Sequence, residues 1–253
     1  VGAIAAGTAL LLLAAMMYAN EHGGRSVGVL AIMLLGAIPA SEFTIQILQR
    51  LLSHLVHPRR LPRLEYDVIP REARTMVIVP TILDSIEGVR DLAEHLEVQA
   101  AGNLDPHIHF ALLSDFRDAI AETQPQDAEI LAAARDAITA LNARYPGEAG
   151  GRFFLFHRRR QWNEREQLWM GWERKRGKIE EFNRMLRGAT DTSFTVQIGD
   201  LDVLPQVKYC ITLDSDTRLP RDAARELIGI ITHPMNRPAY DATVGRVTEG
   251  YGI

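Results

Sequence analysis

Cysteine is nearly absent from this chain of 253 residues, which contains Cys210 alone. One thiol builds no intramolecular disulfide and supplies no metal-ligand cluster, so a small disulfide-stapled secreted scaffold and a zinc module are both excluded. An excess of positive charge is also missing, because 28 Lys and Arg residues stand against 32 Asp and Glu residues. Nucleic acid is therefore not an expected partner. The hydrophobic content of 47% is ample for one large domain or two small ones.

Charge is missing altogether from residues 1–19. A helix of that length rises roughly 28 Å, close to the hydrocarbon thickness of a bilayer, which predicts one membrane-spanning helix. A polar connector, 20–25, leads to a second apolar run that begins at Ser26 and predicts a second span. A signal peptide is the alternative, but the run has no basic segment before it and another apolar stretch follows at once. Residues 1–48 are therefore predicted to form two transmembrane helices.

Positive charge follows the second apolar run, in the residues Arg50, Arg59, Arg60 and Arg63. Arginines gather on the cytoplasmic side of membrane proteins, so the rest of the chain is predicted to be cytoplasmic. Residues 49–70 are predicted to be an amphipathic helix and a basic linker. An apolar stripe that includes Leu51 and Leu55 would lie on the membrane surface, and His57-Pro58 would end the helix.

Strand-like and helix-like segments alternate in residues 71–253. The predicted strands are 75–80, 107–113, 152–157 and 207–213, and the predicted helices are 86–102, 127–144, 178–187 and 221–232. This alternation predicts an α/β fold with a mostly parallel sheet and helices on both faces. Ligands of such sheets bind beyond the carboxyl ends of the strands, so polar residues directly after each strand are the candidates for function.

Two aspartates separated by a serine follow the strand predicted at 207–213. At the end of a buried strand, Asp214 and Asp216 would be costly to leave charged and unpaired, so Mg²⁺ or Mn²⁺ is the expected partner. Such cations keep positions open for phosphate oxygens, which suits a nucleotide diphosphate. The alternative is that Asp214 caps a turn while Asp216 faces water.

Two further residues could serve the same crevice. Asp115 follows its own strand and could accept a hydrogen bond from a base N–H, or it could form an Asx turn. Lys178 begins a predicted helix after a basic tract, which places a cation and free backbone N–H groups together as a diphosphate cradle. A solvated basic face is the alternative for that tract.

Two more patterns have a plain structural interpretation. The basic tract 157–160 is expected on the surface, with contact to anionic lipid as the alternative. The three tryptophans of the chain, Trp162, Trp169 and Trp172, lie in one polar stretch. Their faces could stack on sugars, although packing in a core or near a membrane is the commoner use of tryptophan.

In combination, four segments resemble the inverting processive glycosyltransferases of the GT-A fold, and in particular the glycosyltransferase domain of bacterial cyclic β-1,2-glucan synthases. The segments are 76–80, 114–115, 172–183 and 213–220. The resemblance implies a GT-A-like domain that transfers glucose from UDP-glucose to a growing β-1,2-glucan acceptor at the cytoplasmic face of the bacterial inner membrane. It also implies that the remaining domains of a larger synthase are partners.

The resemblance further implies roles for individual residues. Asp115 would hold the uracil end of the donor, Lys178 and Asn183 would belong to the motif that lines the donor pocket, and Asp214 with Asp216 would hold the ribose side and the metal. The catalytic base of these enzymes lies on a later segment, so residues 71–253 are expected to be a C-terminally incomplete domain. We therefore name no catalytic base and expect the chain by itself to bind donor without transferring glucose.

Two other functions remain open from the sequence. Residues 213–217 also resemble the first motif of haloacid-dehalogenase-type phosphatases, in which Asp214 would be the nucleophile and Asp216 the acid/base. Arg218 replaces the small β-branched residue usual there, and the motif follows three predicted strands instead of opening the domain. The second alternative is a non-catalytic membrane-tethered module that binds nucleotide.

Overall fold

A computed structural model of the chain describes residues 1–24, 26–56, 60–147 and 151–250. The chain divides into two compact units, Val1–Arg60 and Leu61–Ile253. Arg25 of the predicted connector and the predicted helix end at His57-Pro58 lie outside the described residues.

The first unit is a hairpin of two apolar helices, α1 (Gly2–Glu21) and α2 (Ser26–Leu55). Both are long and apolar enough to cross a membrane, and most of their described side chains are exposed, with Val29 and Thr44 of α2 the buried exceptions. An exposed apolar surface of this length suits a lipid environment. The predicted second span and the start of the predicted amphipathic segment form one continuous helix, α2.

The second unit is built on a five-stranded sheet with helices around it. Its strands are β1 (Thr75–Leu83), β2 (Ile108–Phe116), β3 (Phe153–Arg158), β6 (Phe194–Ile198) and β7 (Tyr209–Thr212), in the order β6-β3-β2-β1-β7. Four strands are parallel and β6 alone runs antiparallel to its neighbour. The helices are α3 (Ile86–Gly102), α4 (Asp127–Arg144), α5 (Arg174–Leu186) and α6 (Ala223–Thr232). The unit also contains two small hairpins, β4 (Gln161–Asn163) with β5 (Leu168–Met170) and β8 (Ala239–Asp241) with β9 (Arg246–Glu249).

Alternate residues of the central strands fill two separate cores, because successive side chains of a strand point to opposite faces. Val77, Phe110 and Phe153 pack on one face with α3, α4 and α6. Met76 and Phe154 pack on the other face with Phe182 of α5 and Phe194 of β6. The predicted GT-A-like arrangement, a mostly parallel sheet with helices on both faces after an apolar helical hairpin, is therefore confirmed.

Strand β1 continues through Pro80, although proline normally interrupts a central strand. The partners of β1 in β7 end at Ile78, whose carbonyl accepts the last bond, from the Leu213 N–H. Pro80 lies two residues further and faces the same side, where β7 no longer runs alongside. Its missing N–H therefore leaves no ladder bond unmade, while β2 remains paired with β1 as far as Leu83.

Strand β7 differs from the prediction that places the two aspartates at the end of a buried strand. It is shorter than predicted and forms an edge of the sheet, with its residues half-buried or exposed. Cys210 is exposed on this strand. An edge strand is covered on fewer sides than a central one, so residues that follow it stay open to solvent.

Candidate functional site

A cleft of about 540 Å³ lies at the carboxyl edge of the parallel strands. We call it the edge cleft. Its lining includes Thr81 after the first half of β1, Asp115 near the end of β2, Gly171 before α5, Lys178 in α5, and Ser215 between the two aspartates. This is the position at which open α/β sheets bind ligands. Three separate parts of the sequence-predicted site, around Asp115, Lys178 and Ser215, are thus brought to one cavity.

Asp115 is buried in the wall of this cleft and is held by two cations. Arg158 donates to both of its oxygens, from Nε at 2.7 Å and from Nη2 at 2.8 Å. Lys178 Nζ lies 3.0 Å from Asp115 Oδ2 and donates to the Thr81 carbonyl at 2.5 Å. The paired geometry with arginine fixes both the position and the plane of the carboxylate.

Arg158 connects this carboxylate to the chain that enters α5. It is fully buried and also donates to the carbonyls of Trp172 and Arg174, both at 3.0 Å. Its Nη1 lies 3.5 Å from Glu181 Oε1, and the other oxygen of Glu181 accepts bonds from Ser193. Two carboxylates and two cations therefore form one neutral cluster, which we call the buried charge network: Asp115, Arg158, Lys178 and Glu181.

The surface interpretation of the tract 157–160 is therefore wrong for most of its residues. His157, Arg158 and Arg160 are buried, and only Arg159 is exposed. Arg160 pairs with Asp127 at the start of α4, with its Nη1 2.5 Å from Asp127 Oδ2. Arg159 follows the end of β3, and buried carboxylates on neighbouring elements satisfy the two buried arginines.

Burial influences the protonation of two groups at this edge. It lowers the pKa of Lys178, and the adjacent Asp115 carboxylate opposes that effect. Burial also lowers the pKa of His157 from 6.5 to about 4. His157 Nδ1 shares a 2.9 Å hydrogen bond with Ser114 Oγ, while its Nε2 is buried without a partner in the described part of the chain. His157 is therefore neutral near pH 7.

Helix α5 begins at Arg174, four residues before the predicted start at Lys178. Lys178 thus lies in the second turn and does not share a spot with the free N–H groups of the helix. Glu173 and Arg174 adopt left-handed backbone angles, with φ of 49° and 45°. Such angles are costly for residues with a side chain. The bonds from Arg158 to the carbonyls on either side of Glu173 hold this entry in place.

The predicted aspartate pair, Asp214 and Asp216, is open to solvent. The Asp214 side chain is 59% exposed and forms an ion pair with Lys175 of α5, and Asp216 is exposed. The argument from the cost of burying these charges therefore does not hold. A turn begins at Asp214, but its main-chain carbonyl and not its carboxylate accepts the Thr217 N–H, while Asp216 is exposed as the turn alternative expects.

The two carboxylates have the donor chemistry that a magnesium-like ion prefers. Within the described ranges, no group of three or more His, Cys, Asp or Glu side chains is arranged to hold a metal ion. Mg²⁺ is commonly bound through only one or two carboxylates, with substrate phosphates and water as the other ligands. Asp214 and Asp216 flank Ser215, which lines the edge cleft, and their two carboxylates match that number.

Asn183 lies apart from the other predicted residues. It is exposed on α5, and five helical residues after Lys178 it faces away from the cleft side. Conversely, sequence reasoning missed Arg158 and Glu181. Arg158 ends a strand in which every residue is buried, so no alternation in the sequence marks it.

No protein-family model matches the chain. The chain is similar to a curated protein, the cyclic beta-(1,2)-glucan synthase NdvB of Rhizobium meliloti (strain 1021). The two are 44% identical over 226 residues, which is 88% of this chain and 8% of that protein. The resemblance to the cyclic β-1,2-glucan synthases predicted from the motifs is thereby confirmed, and the chain spans less than a tenth of the length of this relative.

Proposed function

We propose that the chain forms the donor-binding part of a membrane-bound glycosyltransferase that transfers glucose from UDP-glucose to a growing β-1,2-glucan. The remaining domains of a larger synthase would complete the enzyme, in keeping with the small share of the relative that this chain spans. The identity with a glucan synthase supports the reaction class. The observation that carries the proposal is the edge cleft, which joins Asp115, Lys178 and Ser215 at the carboxyl end of the sheet.

The chemistry of the cleft suits a departing diphosphate. Arg174, Lys175 and Lys178 all line it, and each is paired with a carboxylate. Lys175 and Arg174 are more than half exposed, so both are free to exchange these partners for phosphate oxygens. A divalent cation held by Asp214 and Asp216 would offset the negative charge that develops on the leaving group.

Asp115 has a different role in this proposal from the two exposed aspartates. The buried charge network fixes its carboxylate against the cleft, and a carboxylate with two bound cations retains lone pairs for a further donor. We infer that it accepts a hydrogen bond from the base of the nucleotide. We assign no catalytic base to a residue of this chain.

The membrane topology follows from the charge pattern. Helices α1 and α2 would span the bacterial inner membrane, and the arginines that follow them would keep the second unit on the cytoplasmic side, where UDP-glucose is available. The proposal is thus a multi-pass membrane protein with a cytoplasmic donor site.

Calorimetric titration of the full chain in detergent tests the donor site. We expect UDP to bind in the presence of Mn²⁺ or Mg²⁺ and to bind at least tenfold more weakly when the cation is removed with a chelator. Asp216→Ala should cause a similar loss, because it removes one of the two carboxylates available to the cation. Asp91→Ala is the matched control, since Asp91 is exposed on α3 away from the cleft.

Two results would contradict the proposal. UDP binding of equal strength with and without the cation, unchanged in Asp216→Ala, would remove the metal-assisted site. Turnover of a generic phosphate ester that Asp214→Asn abolishes would instead identify the phosphatase chemistry in which Asp214 is the nucleophile.

A further inference from the structure

The β4–β5 hairpin and the segment that follows it expose two large aromatic side chains to solvent. Trp162 is 44% exposed and Trp172, just after the hairpin, is 41% exposed. Tryptophan buries more apolar surface than other residues when it packs, so leaving two of three indoles open forgoes a large stabilisation. The exposed faces border a groove of about 280 Å³, which we call the tryptophan groove.

The tryptophan groove is built on a rigid base. Trp162 lies opposite Trp169 in the hairpin, and their ring centroids are 5.9 Å apart. Trp169 is half-buried and Met170 is buried beneath the groove. The amide of Asn163 donates to Met170 Sδ at 3.3 Å, and its carbonyl oxygen accepts the N–H groups of the turn. The Trp162 ring therefore packs against a neighbouring indole, in a hairpin that its own hydrogen bonds hold together.

Two connections fix the hairpin beside the edge cleft. Trp169 exchanges a pair of backbone hydrogen bonds with Ala119, at 2.8 and 2.9 Å. Asp118, the neighbour of Ala119, lines the edge cleft. At the other end, Gly171 lines the cleft while Trp172 lines the groove, and the Trp172 carbonyl is bound by Arg158. Adjacent residues of one segment thus belong to both cavities.

The groove has the chemistry of a neutral, hydroxyl-rich ligand with an apolar face. Two indole faces supply flat apolar surface, and Gln161, Glu164 and Arg165 supply hydrogen-bonding groups around them. Glu164 and Arg165 carry opposite charges, so the groove favours neither an anion nor a cation. A pyranose ring matches this surface, because its axial C–H bonds form an apolar face and its hydroxyl groups project from the edge.

We propose that the tryptophan groove binds glucosyl units of the glucan chain and so holds the acceptor next to the donor cleft. The identity of the sugar rests on the proposed function, whereas the position of the groove rests on the structure alone. Trp162 is the residue that stacks on the sugar, and its support by Trp169 makes the stacking surface available without rearrangement.

The test uses the full chain in detergent, labelled with ¹⁵N, and a β-1,2-linked glucotriose as the probe. The three indole N–H signals are assigned by substitution, and the trisaccharide is titrated. We expect saturable shifts of the Trp162 and Trp172 signals. Trp162→Ala should weaken binding at least tenfold, and Trp162→Phe should keep it within about threefold, because a smaller ring still stacks. Tyr240→Ala, which removes an exposed aromatic side chain on β8, should bind as the unsubstituted chain does.

Indole signals that do not respond to the trisaccharide, or that respond equally in Trp162→Ala, overturn this proposal. Shifts that lipid vesicles produce and the trisaccharide does not produce overturn it as well, because they identify a membrane-contacting surface. UDP is titrated into the same sample as a separate measurement. UDP binding without trisaccharide binding rejects the tryptophan groove alone, while trisaccharide binding without UDP binding rejects the donor site alone.

Discussion

Arg158 is the residue on which the geometry of the cleft depends most. It is fully buried, it fixes Asp115 through two hydrogen bonds, and it binds the carbonyls at the strained entry to α5. A buried ion pair adds little stability over an apolar pair of the same shape, but removal of one partner strands the other charge. The main role of the buried charge network is therefore to position Asp115 and the chain that enters α5.

Arg158→Met should lower the free energy of unfolding by about 3 kcal/mol or more, because it leaves Asp115 and Glu181 buried with Lys178 as their one remaining network cation. Urea unfolding of the full chain in detergent measures this change. Arg159→Met is the matched control, since Arg159 is the exposed neighbour, and it should change stability by about 0.5 kcal/mol or less. Equal effects of the two substitutions would contradict the positioning role.

Lys175→Gln should weaken UDP binding about tenfold, which corresponds to about 1.4 kcal/mol, because it removes a charged donor from the phosphate end of the cleft. Calorimetry in the presence of Mn²⁺ provides the measurement. Arg176→Gln is the comparison, since Arg176 is the next residue of α5 and pairs with Glu180 on the helix surface. If Arg176→Gln weakened UDP as much as Lys175→Gln, general positive charge would explain the effect and Lys175 would have no specific role.

At the scale of elements, the segment between β5 and α5 connects the parts of the site. Gly171 shows how close its backbone lies to the buried charge network. A Cβ on this residue would lie 2.5 Å from Asp115 Cγ and 2.8 Å from Arg158 Nη2. Only glycine allows the chain to pass this close to the ion pair.

Gly171→Ala should therefore destabilise the protein by about 1–3 kcal/mol and weaken UDP binding, because the added methyl group displaces Asp115 or the chain that enters α5. Thermal unfolding and UDP titration measure the two effects. Gly102→Ala serves as the control, since a Cβ there would meet its nearest neighbour, Arg221 Cα, at an ordinary 3.7 Å. A wild-type UDP affinity in Gly171→Ala would contradict the close approach.

The alternation of apolar segments was enough to predict the fold class, because burial on both faces makes strands β1 to β3 nearly continuous apolar runs. The prediction of strands from apolar segments failed where the strands are only partly buried. Strand β6 alternates buried and exposed residues and was not predicted, and β7 was predicted too long because its apolar side chains lie at an edge.

The sequence also predicted only some of the residues of the site. Asp115 and Lys178 were found because they follow apolar strands or precede helical patterns. Arg158 and Glu181 were missed because their pairing joins residues 23 positions apart on different elements, and sequence spacing carries no signal for it. A run of three arginines suggested a solvated surface, although two of them are buried and form ion pairs with carboxylates of neighbouring elements.

At the scale of the whole molecule, the second unit has the edge cleft at one edge of the sheet and a separate cavity at the other. The cavity at the amino edge, about 340 Å³, is lined by residues that include His109, Arg152 and Asp202. It contains none of the residues predicted from the motifs.

The stability of the unit also depends on pH, because both His109 and His157 are buried with lowered pKa values, to about 3 and about 4.

The free energy of unfolding should fall as the pH drops from about 6.5 towards about 4. In this range the unfolded state binds a proton on His157 while the folded state does not. The contribution of His157 to the free energy of unfolding is therefore fully present above the unfolded pKa and is lost as the pH falls towards the folded pKa. Between pH 7 and pH 4.5, His157 should account for about 2–3 kcal/mol of the loss. Urea unfolding at the two pH values should show a smaller loss for His157→Gln, while His95→Gln, on α3, should keep the wild-type loss. An identical pH dependence in all three proteins would contradict the neutral buried His157.

Hydrogen exchange of the full chain in detergent, with and without UDP and Mn²⁺, locates the ligand directly. We predict slower exchange in the peptides that cover 114–118, 171–178 and 213–217, because these three segments form the edge cleft, and no change in 201–206 at the opposite edge. Unchanged exchange around the cleft, or protection confined to 201–206, would contradict the central claim that this edge of the sheet holds a nucleotide diphosphate.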